Sequence, residues 1–205
     1  MTELRLKKLK VAITGNIGSG KTTFSRFLSE KGYPVIFADE VSKELLANDP
    51  VVRKKIIHEF GEESYQGKRI NTSFLAGKIF SNPKKLKKIN SILHPEVRKK
   101  IELLSLAYFK TKDIVFVEAA LIYESKIENM YDFVVLIAAD IELRMKRSLA
   151  ESKVSEKDFY NRNRSQIDDS AKVKKADFIF INNGSKNNLK EKAELLSVIL
   201  ESYLK

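Results

Sequence analysis

Residues Val11–Thr23 read VAITGNIGSGKTT, and the rest of the chain can be interpreted outward from them. Gly15, Gly20, Lys21 and Thr22 fit the pattern G-x-x-x-x-G-K-[ST], which is typical of a phosphate-binding loop. The apolar residues at the start of the stretch predict a buried parallel strand. The residues after it carry apolar side chains at helical spacing. A strand, a glycine-rich loop and a helix in this order predict a site for a nucleotide phosphate.

Each residue type in this loop has a chemical reason to be there. Glycines let the backbone fold tightly enough for its N–H groups to converge on phosphate oxygens, and the next helix presents its positive end. Lys21 supplies a mobile cation, and the hydroxyl of Thr22 can ligate Mg²⁺. The loop therefore predicts nucleotide binding, but it does not identify the reaction.

The totals exclude several classes of site. At 205 residues and 43% hydrophobic content, the chain suits one core with inserted subdomains. It has no cysteine, which excludes disulfides, thiolate metal sites and thiol catalysis. His58 and His94 are the only histidines, so we expect no multi-histidine metal site. There is no apolar run of the ~20 residues that a membrane helix needs, and Met1–Lys10 lacks the apolar centre of a signal peptide. We expect a cytoplasmic enzyme that does not bind a membrane.

The formal net charge of +11 raises the question of nucleic acid. Clustered Lys and Arg would favour it through counterion release, but the lysines are dispersed and are not interleaved with aromatic residues. We therefore expect no nucleic-acid partner. Two explanations of the charge stay open, a solvated general-purpose surface and the attraction of anionic small substrates.

Asp39 stands directly after a second predicted strand, Pro34–Ala38, which reads PVIFA. The carboxyl ends of strands are where open parallel sheets bind ligands, so Asp39 is a candidate site residue. An aspartate here can also be the N-cap of a helix over Glu40–Leu46. The residues alone leave these two roles about equally supported.

Residues 41–110 interrupt the alternation of strands and helices and are predicted to be wholly helical. Asp49-Pro50 and Asn82-Pro83 each pair an N-capping residue with a proline suited to the first helical turn. His94-Pro95 predicts the start of a further long helix. We interpret this segment as an inserted substrate-binding subdomain. Taken alone, His94 is typical of a hydrogen-bonded structural histidine.

Alternation resumes with three more predicted strands, Ile114–Val117, Phe133–Ala138 and Phe178–Ile181. Glu118, next to the first, is either a carboxylate for the Mg²⁺ shell or an ordinary acid at the sheet edge. Residues 140–166 predict a basic helical hairpin, which is either solvated surface or the lid of a phosphoryl-transfer enzyme. The prediction for residues 1–205 is therefore one α/β domain, a P-loop three-layer sandwich. Its five-stranded parallel sheet has right-handed crossovers, a helical insert and a helical lid.

Beyond the loop, five segments occur in an order that closely resembles the dephospho-CoA kinase family. They are GNIGSGKTT, PVIFADEVSKELL, INTSFLAGKIFSNPKKLKKINSILHPEVRKKI, LIYE and ADFIFINNG, and the resemblance covers Lys10 to Leu204. The ILHP segment is the most discriminating part. The resemblance implies an enzyme that transfers the γ-phosphoryl group of ATP to the ribose 3′-hydroxyl of dephospho-CoA, the last step of coenzyme A synthesis. It would act with Mg²⁺ as a monomer or a small homo-oligomer.

The resemblance also implies roles for individual residues. Asp39 takes the position of the general base and joins Lys21 and Arg147 as the catalytic set. Mg²⁺ is held by Thr22, with Glu118 in reach through water. The residues implied in ATP binding are Asn16, Ile17, Gly18, Ser19, Gly20, Lys21, Thr22, Thr23, Arg147, Asn182 and Gly184. Those implied in acceptor binding are Asp39, His94, Pro95, Arg98, Glu118 and Arg162.

Several positions depart from the family's pattern. The family usually has Asp-Ala-Asp at the end of the second strand, where this chain has Phe37-Ala38-Asp39. The common PLLFE segment reads ALIYE over Ala120–Glu124, Glu118 stands where the family has Asp, and Glu151 falls where a lid arginine is often found. The alternative is another small-molecule kinase, acting on a nucleoside monophosphate, shikimate or gluconate. Such a kinase shares the loop and lid but lacks a segment like Ile92–Arg98.

Overall fold

The computed structural model describes residues 8–79, 82–152 and 155–204, with the backbone alone at Pro83, Glu151 and Ser152. The chain divides into two compact units. The first combines Met1–Ile36 with Ser105–Lys205, and the second is Phe37–Leu104. Because the chain leaves the first unit and later returns to it, the second unit is an insertion.

A five-stranded parallel sheet forms the centre of the first unit, which confirms the predicted α/β fold class. The strand order is β2-β5-β1-β6-β7, and β1 pairs in parallel with β5 and β6. Each strand predicted from an apolar run is present, with ends shifted by no more than two residues. The strands are β1 Leu9–Thr14, β2 Val35–Phe37, β3 Tyr65–Gln66, β4 Arg69–Ile70, β5 Ile114–Glu118, β6 Phe133–Ala138 and β7 Phe178–Ile181, of which β3 and β4 form a separate hairpin.

Helices follow these strands along the chain, and short 3₁₀ turns occur at Glu62–Ser64 and Glu128–Met130. Within the described residues, none of the helices combines the length and the apolar character needed to cross a membrane. The helices are α1 Lys21–Glu30, α2 Ala38–Asn48, α3 Pro50–Phe60, α4 Thr72–Ile79, α5 Pro83–Tyr108, α6 Ile141–Ser152, α7 Glu156–Arg164, α8 Asp169–Val173 and α9 Lys186–Ser202.

The sheet has hydrophobic clusters on both faces, as a three-layer sandwich requires. Val11 and Ile13 of β1 are fully buried in a cluster with Phe24 of α1 and Leu196 of α9. Ala12, which points to the opposite face, belongs to a second cluster with Ile122, Tyr123 and Val134. This alternation along one strand explains why its residues form a continuous apolar run, since both faces are covered.

Strand register brings an acidic side chain to the end of the sheet where the glycine loop begins. In the pairing of β1 with β5, Ile13 lies opposite Glu118, and β1 ends one residue later at Thr14. The carboxyl ends of parallel strands meet at one edge of a sheet. Glu118 is therefore placed beside the loop that follows β1.

Two capping predictions in the second unit are confirmed. Asp49 Oδ1 accepts hydrogen bonds of 2.8 Å from the backbone N–H groups of Val51 and Val52 at the start of α3. Asn82 Oδ1 accepts one of 3.0 Å from the N–H of Lys84 at the start of α5. Both caps satisfy donors that have no partner inside the helix.

The prediction that residues 41–110 are wholly helical is wrong in one place. Tyr65–Gln66 pairs antiparallel with Arg69–Ile70, and Gly67 adopts a left-handed φ of 59° between them. Two-residue strands are too short to show the alternation by which a strand is recognised in a sequence. The hairpin therefore gives no periodic signal.

A helix boundary at His94-Pro95 is also wrong, because α5 runs without interruption from Pro83 to Tyr108 with Pro95 inside it. Proline lacks an N–H and disfavours a helix interior. Buried residues lie on both sides of it, Leu93 before and Ile101 after. Burial along the helix outweighs the local preference of one residue.

Candidate active site

The glycine loop joins β1 to α1 and ends in a left-handed residue. The N–H of Ser19 donates to the carbonyl of Asn16 over 3.0 Å, which closes a turn. Gly20 has φ 90° and leads directly into α1, where no described side chain caps the first turn. The free N–H groups at such a helix start are suited to bind an anion.

Gly18 lies in tight contact with α6. Its φ is 75°, and a Cβ placed on it would lie 2.1 Å from the carbonyl oxygen of Arg144 and 2.7 Å from Oγ of Ser148. Backbone oxygen cannot move away as a flexible side chain can. The close approach of loop and helix therefore requires glycine at this position.

We expect Gly18→Ala to destabilise the protein by about 1–3 kcal/mol more than Gly32→Ala. Gly32 is the matched control because its φ is 88° but a Cβ there would meet nothing within 4 Å. Both variants carry the cost of a left-handed alanine, and Gly18→Ala adds the clash with α6. Thermal unfolding should show a melting temperature roughly 2–12 °C lower for Gly18→Ala than for Gly32→Ala. Equal melting temperatures would contradict the tight packing.

Lys21, Thr22 and Glu118 come together at the start of α1. Lys21 Nζ lies 3.9 Å from Oε1 of Glu118, and the Thr22 hydroxyl donates to Oε2 over 3.3 Å. Glu118 is buried, with 6% of its surface exposed. Of the two roles that the sequence leaves open for Glu118, this contact favours a place in the phosphate site over an ordinary edge acid.

Asn182, which follows β7, supports the loop from the other side. Its side-chain N–H₂ donates to the carbonyl of Ser19 over 2.8 Å, and this contact is buried. The main-chain carbonyl of Asn182 accepts a 2.9 Å hydrogen bond from Arg147 Nη1 of α6. Asn182 thereby links the loop to Arg147, and both residues were expected in the ATP site.

A cavity of about 400 Å³ opens beside the loop. Of the residues expected to bind ATP, it is lined by Gly18, Gly20, Lys21, Thr22, Thr23, Arg147, Asn182 and Gly184. Arg26, Lys186 and Leu189 also line it. Sequence reasoning missed these three residues. Arg26 and Lys186 have the spacing of ordinary surface cations, and Leu189 is an apolar residue that carries no signal for a phosphate site. Four cations around one cavity suit a polyanionic ligand.

Asn16 and Ile17 form hydrogen bonds with residues outside the loop. Asn16 is 2% exposed, and its side-chain N–H₂ donates to the carbonyl of Ile167 over 3.2 Å. The N–H of Ile17 donates to Oε1 of Gln166 over 2.9 Å. Both residues were expected to contact ATP. In the structure the side-chain amide of Asn16 and the backbone N–H of Ile17 are hydrogen-bonded within the protein.

Arg144 is buried, although the basic hairpin to which it belongs was expected to be solvated or to form a lid. Its Nε donates to the carbonyl of Ala139 over 3.0 Å, and Nη1 donates to Oδ1 of Asn163 over 2.8 Å. The same Nη1 lies 3.4 Å from the carbonyl of Ile17. Arg144 therefore joins α6, α7 and the loop. The sequence carries no signal that separates it from the neighbouring surface cations.

Asp39 lies inside the first turn of α2, and the helix begins at Ala38. The N-cap is Phe37, so the alternative that Asp39 itself caps a helix over Glu40–Leu46 is wrong. Asp39 is exposed, and its charge is favourable at the positive end of a helix. This leaves its side chain accessible for another role.

His94, Pro95 and Arg98 lie within one turn of α5. Burial, together with the charge of Arg98, lowers the pKa of His94 below its ordinary value. The Arg98 Nε donates to the His94 carbonyl over 3.3 Å. The lowered pKa favours the neutral imidazole of His94, which can both donate and accept a hydrogen bond.

The remaining expected residues lie on or beside the 140–166 segment. Arg162 is exposed on α7, whose N-terminus is capped by the side chain of Ser155. Glu151, where the family often has a lid arginine, is in α6, but its side chain lies outside the described part of the structure.

Comparison with known proteins identifies the family of the chain. A family model described as dephospho-CoA kinase matches residues 9–188. A curated dephospho-CoA kinase from Bacteroides fragilis (strain YCH46) is 34% identical over 193 residues, covering 94% of this chain and 94% of that protein. The structure of dephospho-CoA kinase from Campylobacter jejuni is 30% identical with a TM-score of 0.65, covering 95% of this chain and 97% of that one. The structure of TT1252 from Thermus thermophilus is 31% identical with a TM-score of 0.80, covering 95% and 98%.

The parallel sheet, the glycine loop and the meeting of Lys21, Thr22 and Glu118 define a P-loop nucleotide-binding protein. Proteins of this class hold the phosphates of a nucleotide at the loop that follows the first strand. The family match is more specific, and the chain belongs to the dephospho-CoA kinase family. It is accordingly an ATP-dependent kinase that phosphorylates a hydroxyl group.

Proposed function

We propose that this chain transfers the γ-phosphoryl group of ATP to the 3′-hydroxyl of dephospho-CoA, with the loop around Lys21 as the donor site. The observation that carries the proposal is the contact of Lys21 and Thr22 with Glu118, beside a cavity of about 400 Å³. The identity of the acceptor is inferred from the relatives, which are named dephospho-CoA kinases. The binding of the donor is inferred from the residues that line the cavity.

Donor binding rests on cations and backbone N–H groups. Lys21 and Arg147 line the cavity and would neutralise charge that spreads over the phosphoryl oxygens during transfer. The uncapped start of α1 would present N–H groups to the phosphates. Asn182 and Gly184 line the same cavity and, as the family's pattern implies, would lie near the adenine of ATP.

Mg²⁺ fits the oxygen atoms of this site. A hydroxyl and a carboxylate are ligands that Mg²⁺ prefers, and Thr22 Oγ1 and Glu118 Oε2 lie 3.3 Å apart. In the described residues there is no group of three or more acidic or histidine side chains for a metal. We therefore infer that Thr22 and Glu118 hold Mg²⁺ jointly with the phosphates and water, Glu118 acting through water. When bound, the metal would supply positive charge that offsets the charge developing on the phosphoryl oxygens.

The acceptor set is proposed from the family's pattern and from the state of each residue. Asp39 is exposed in the first turn of α2 and would accept the proton of the attacking hydroxyl. His94, Pro95 and Arg98 share one turn of α5 and would contact dephospho-CoA. Arg162 would approach it from α7. Little covalent work is required of the protein, because phosphoryl transfer depends mainly on alignment and electrostatic stabilisation.

Two further parts of the proposal concern organisation and location. We assign residues 140–166 to a lid over the donor and residues 41–110 to acceptor binding. We also propose a cytoplasmic location, because the family to which the chain belongs is typically cytoplasmic.

A coupled assay of ADP release tests the reaction. The purified chain, ATP and Mg²⁺ are combined with dephospho-CoA, adenosine, AMP or shikimate in parallel. We expect robust ADP release with dephospho-CoA alone. Removal of Mg²⁺ by EDTA should abolish it, and added excess Mg²⁺ should restore it. Robust activity with a different acceptor only would contradict the proposed substrate.

A further inference from the structure

Lys172 of α8 is a buried cation in the first unit that the proposed reaction does not use. Its exposed fraction is 0%, and it is among the largest fully buried side chains. Its Nζ lies 2.8 Å from Oε1 of Glu124 and 2.7 Å from Oδ1 of Asn16. We call these three residues the Lys172 cluster. A buried charge is costly unless it is paired and hydrogen-bonded, and this cluster meets both conditions.

The cluster fixes the orientation of the Asn16 side chain. Lys172 can only donate, so it defines which end of the amide is the oxygen. The amide nitrogen then donates to the carbonyl of Ile167 over 3.2 Å. Glu124 Oε1 also accepts the N–H of Ile167 over 2.8 Å, so the contacts form one connected network. Each polar group of the Asn16 side chain has one defined partner.

This orientation carries through to the backbone of the glycine loop. Asn16 is the first residue after Gly15, and its carbonyl accepts the Ser19 N–H that closes the loop turn. The loop must hold its N–H groups toward a phosphate to bind it, and the entropy cost of ordering them lowers affinity if it is incurred on binding. Because the oxygen and the nitrogen of the Asn16 amide are both hydrogen-bonded, the first half of the loop is ordered before the nucleotide binds.

Stability alone is a poor explanation for an ion pair at this place. A buried ion pair is often replaced by apolar residues of similar volume without loss of stability. A buried polar pair is better explained by a need to specify one conformation of the residues around it. The arrangement specified here is that of a loop residue beside the nucleotide cavity.

We propose that Lys172 is a positioning residue for ATP. It acts through Asn16, with Glu124 as its counter-charge, and holds the first half of the phosphate loop in the conformation that binds the nucleotide. The inference rests on the proposed donor site. In the sequence Lys172 belongs to the run KVKK, whose other lysines, Lys174 and Lys175, are exposed.

The test separates positioning from stability with a charge-neutral double variant. Lys172→Met removes the cation and leaves the Glu124 charge without it, so a lower melting temperature is expected. Lys172→Met with Glu124→Gln removes both charges and should recover most of that melting temperature. Lys174→Met, two residues along the chain and exposed, is the matched control. ATP affinity is measured by calorimetry, and KM is measured for ATP and for dephospho-CoA.

We expect the double variant to keep a Kd for ATP about tenfold above that of the wild type, a size common for residues of one hydrogen-bond network. KM for ATP should rise with it, while KM for dephospho-CoA changes by less than about twofold. Asn16→Ala should raise the Kd for ATP similarly on its own, but add less than about twofold in the double variant, because Lys172 acts through Asn16.

Three results would overturn the proposal. The first is recovery of ATP affinity together with melting temperature in the double variant, since the pair would then serve stability alone. The second is an equal rise of both KM values. The third is an Asn16→Ala variant that binds ATP normally, which decides the question even where the Lys172 variants do not fold. A wild-type chain that binds no ATP would instead contradict the proposed donor site.

Discussion

Replacing Lys21 by alanine should lower kcat by about 10³-fold, the size assigned to one group that stabilises charge in the transition state. Lys21 follows the left-handed Gly20, lines the nucleotide cavity and approaches the buried carboxylate of Glu118. Its cation would move with the γ-phosphate during transfer. Steady-state kinetics with saturating ATP and dephospho-CoA measure the effect.

The matched control for this variant is Lys190→Ala, which removes an exposed lysine from α9 of the same unit. We expect its kcat to stay within about twofold of the wild type, as for surface substitutions away from special features. Circular dichroism should show native secondary structure for both variants. A folded Lys21→Ala enzyme with near-normal kcat would remove Lys21 from the catalytic set.

Asp39→Asn should lower kcat by roughly 10²–10⁴-fold while the Kd for ATP changes little. The amide keeps the shape of the side chain but cannot accept a proton from the 3′-hydroxyl. Since Asp39 is exposed and is not the N-cap of α2, the substitution removes no described cap. Rapid-quench measurement of the phosphoryl-transfer step, with calorimetry for ATP, separates chemistry from binding.

Glu40→Gln is the control for this change, because Glu40 is exposed in the same first turn of α2. Both variants lose one negative charge near the positive end of the helix, so their effects on α2 should match to within a few tenths of a kcal/mol. Only Asp39→Asn should lose turnover. Similar kcat for the two variants would reduce Asp39 to a residue that favours the helix.

The sheet and the donor loop could be predicted because their signals are local. β1, β5 and β6 are apolar runs of the length that a strand buried on both faces requires. The loop motif encodes its own chemistry, and Asp49 caps α3 through atoms two and three residues away. Where neighbours along the chain decide the structure, a single sequence is sufficient.

The partners of buried polar residues could not be predicted, because they are distant along the chain. Lys172 meets Asn16 across 156 positions, and Asn182 meets Ser19 across 163. Arg144 resembles its surface neighbours until the fold brings Ile17 and Asn163 to it. Charge and helical spacing describe which side chains are available, whereas pairing depends on how strands and loops are arranged in space.

The four unspecified positions of the G-x-x-x-x-G-K-[ST] pattern do not carry equal information in this chain. Ile17 meets the side chains of Gln166 and Arg144 only through its own main-chain N–H and carbonyl, so these hydrogen bonds would tolerate many different side chains at position 17. At Asn16 the side-chain amide itself forms the contacts: its oxygen accepts a hydrogen bond from Lys172, and its nitrogen donates one to the carbonyl of Ile167. The motif treats these two adjacent positions as equivalent, but the structure requires a particular side chain at position 16 and not at position 17.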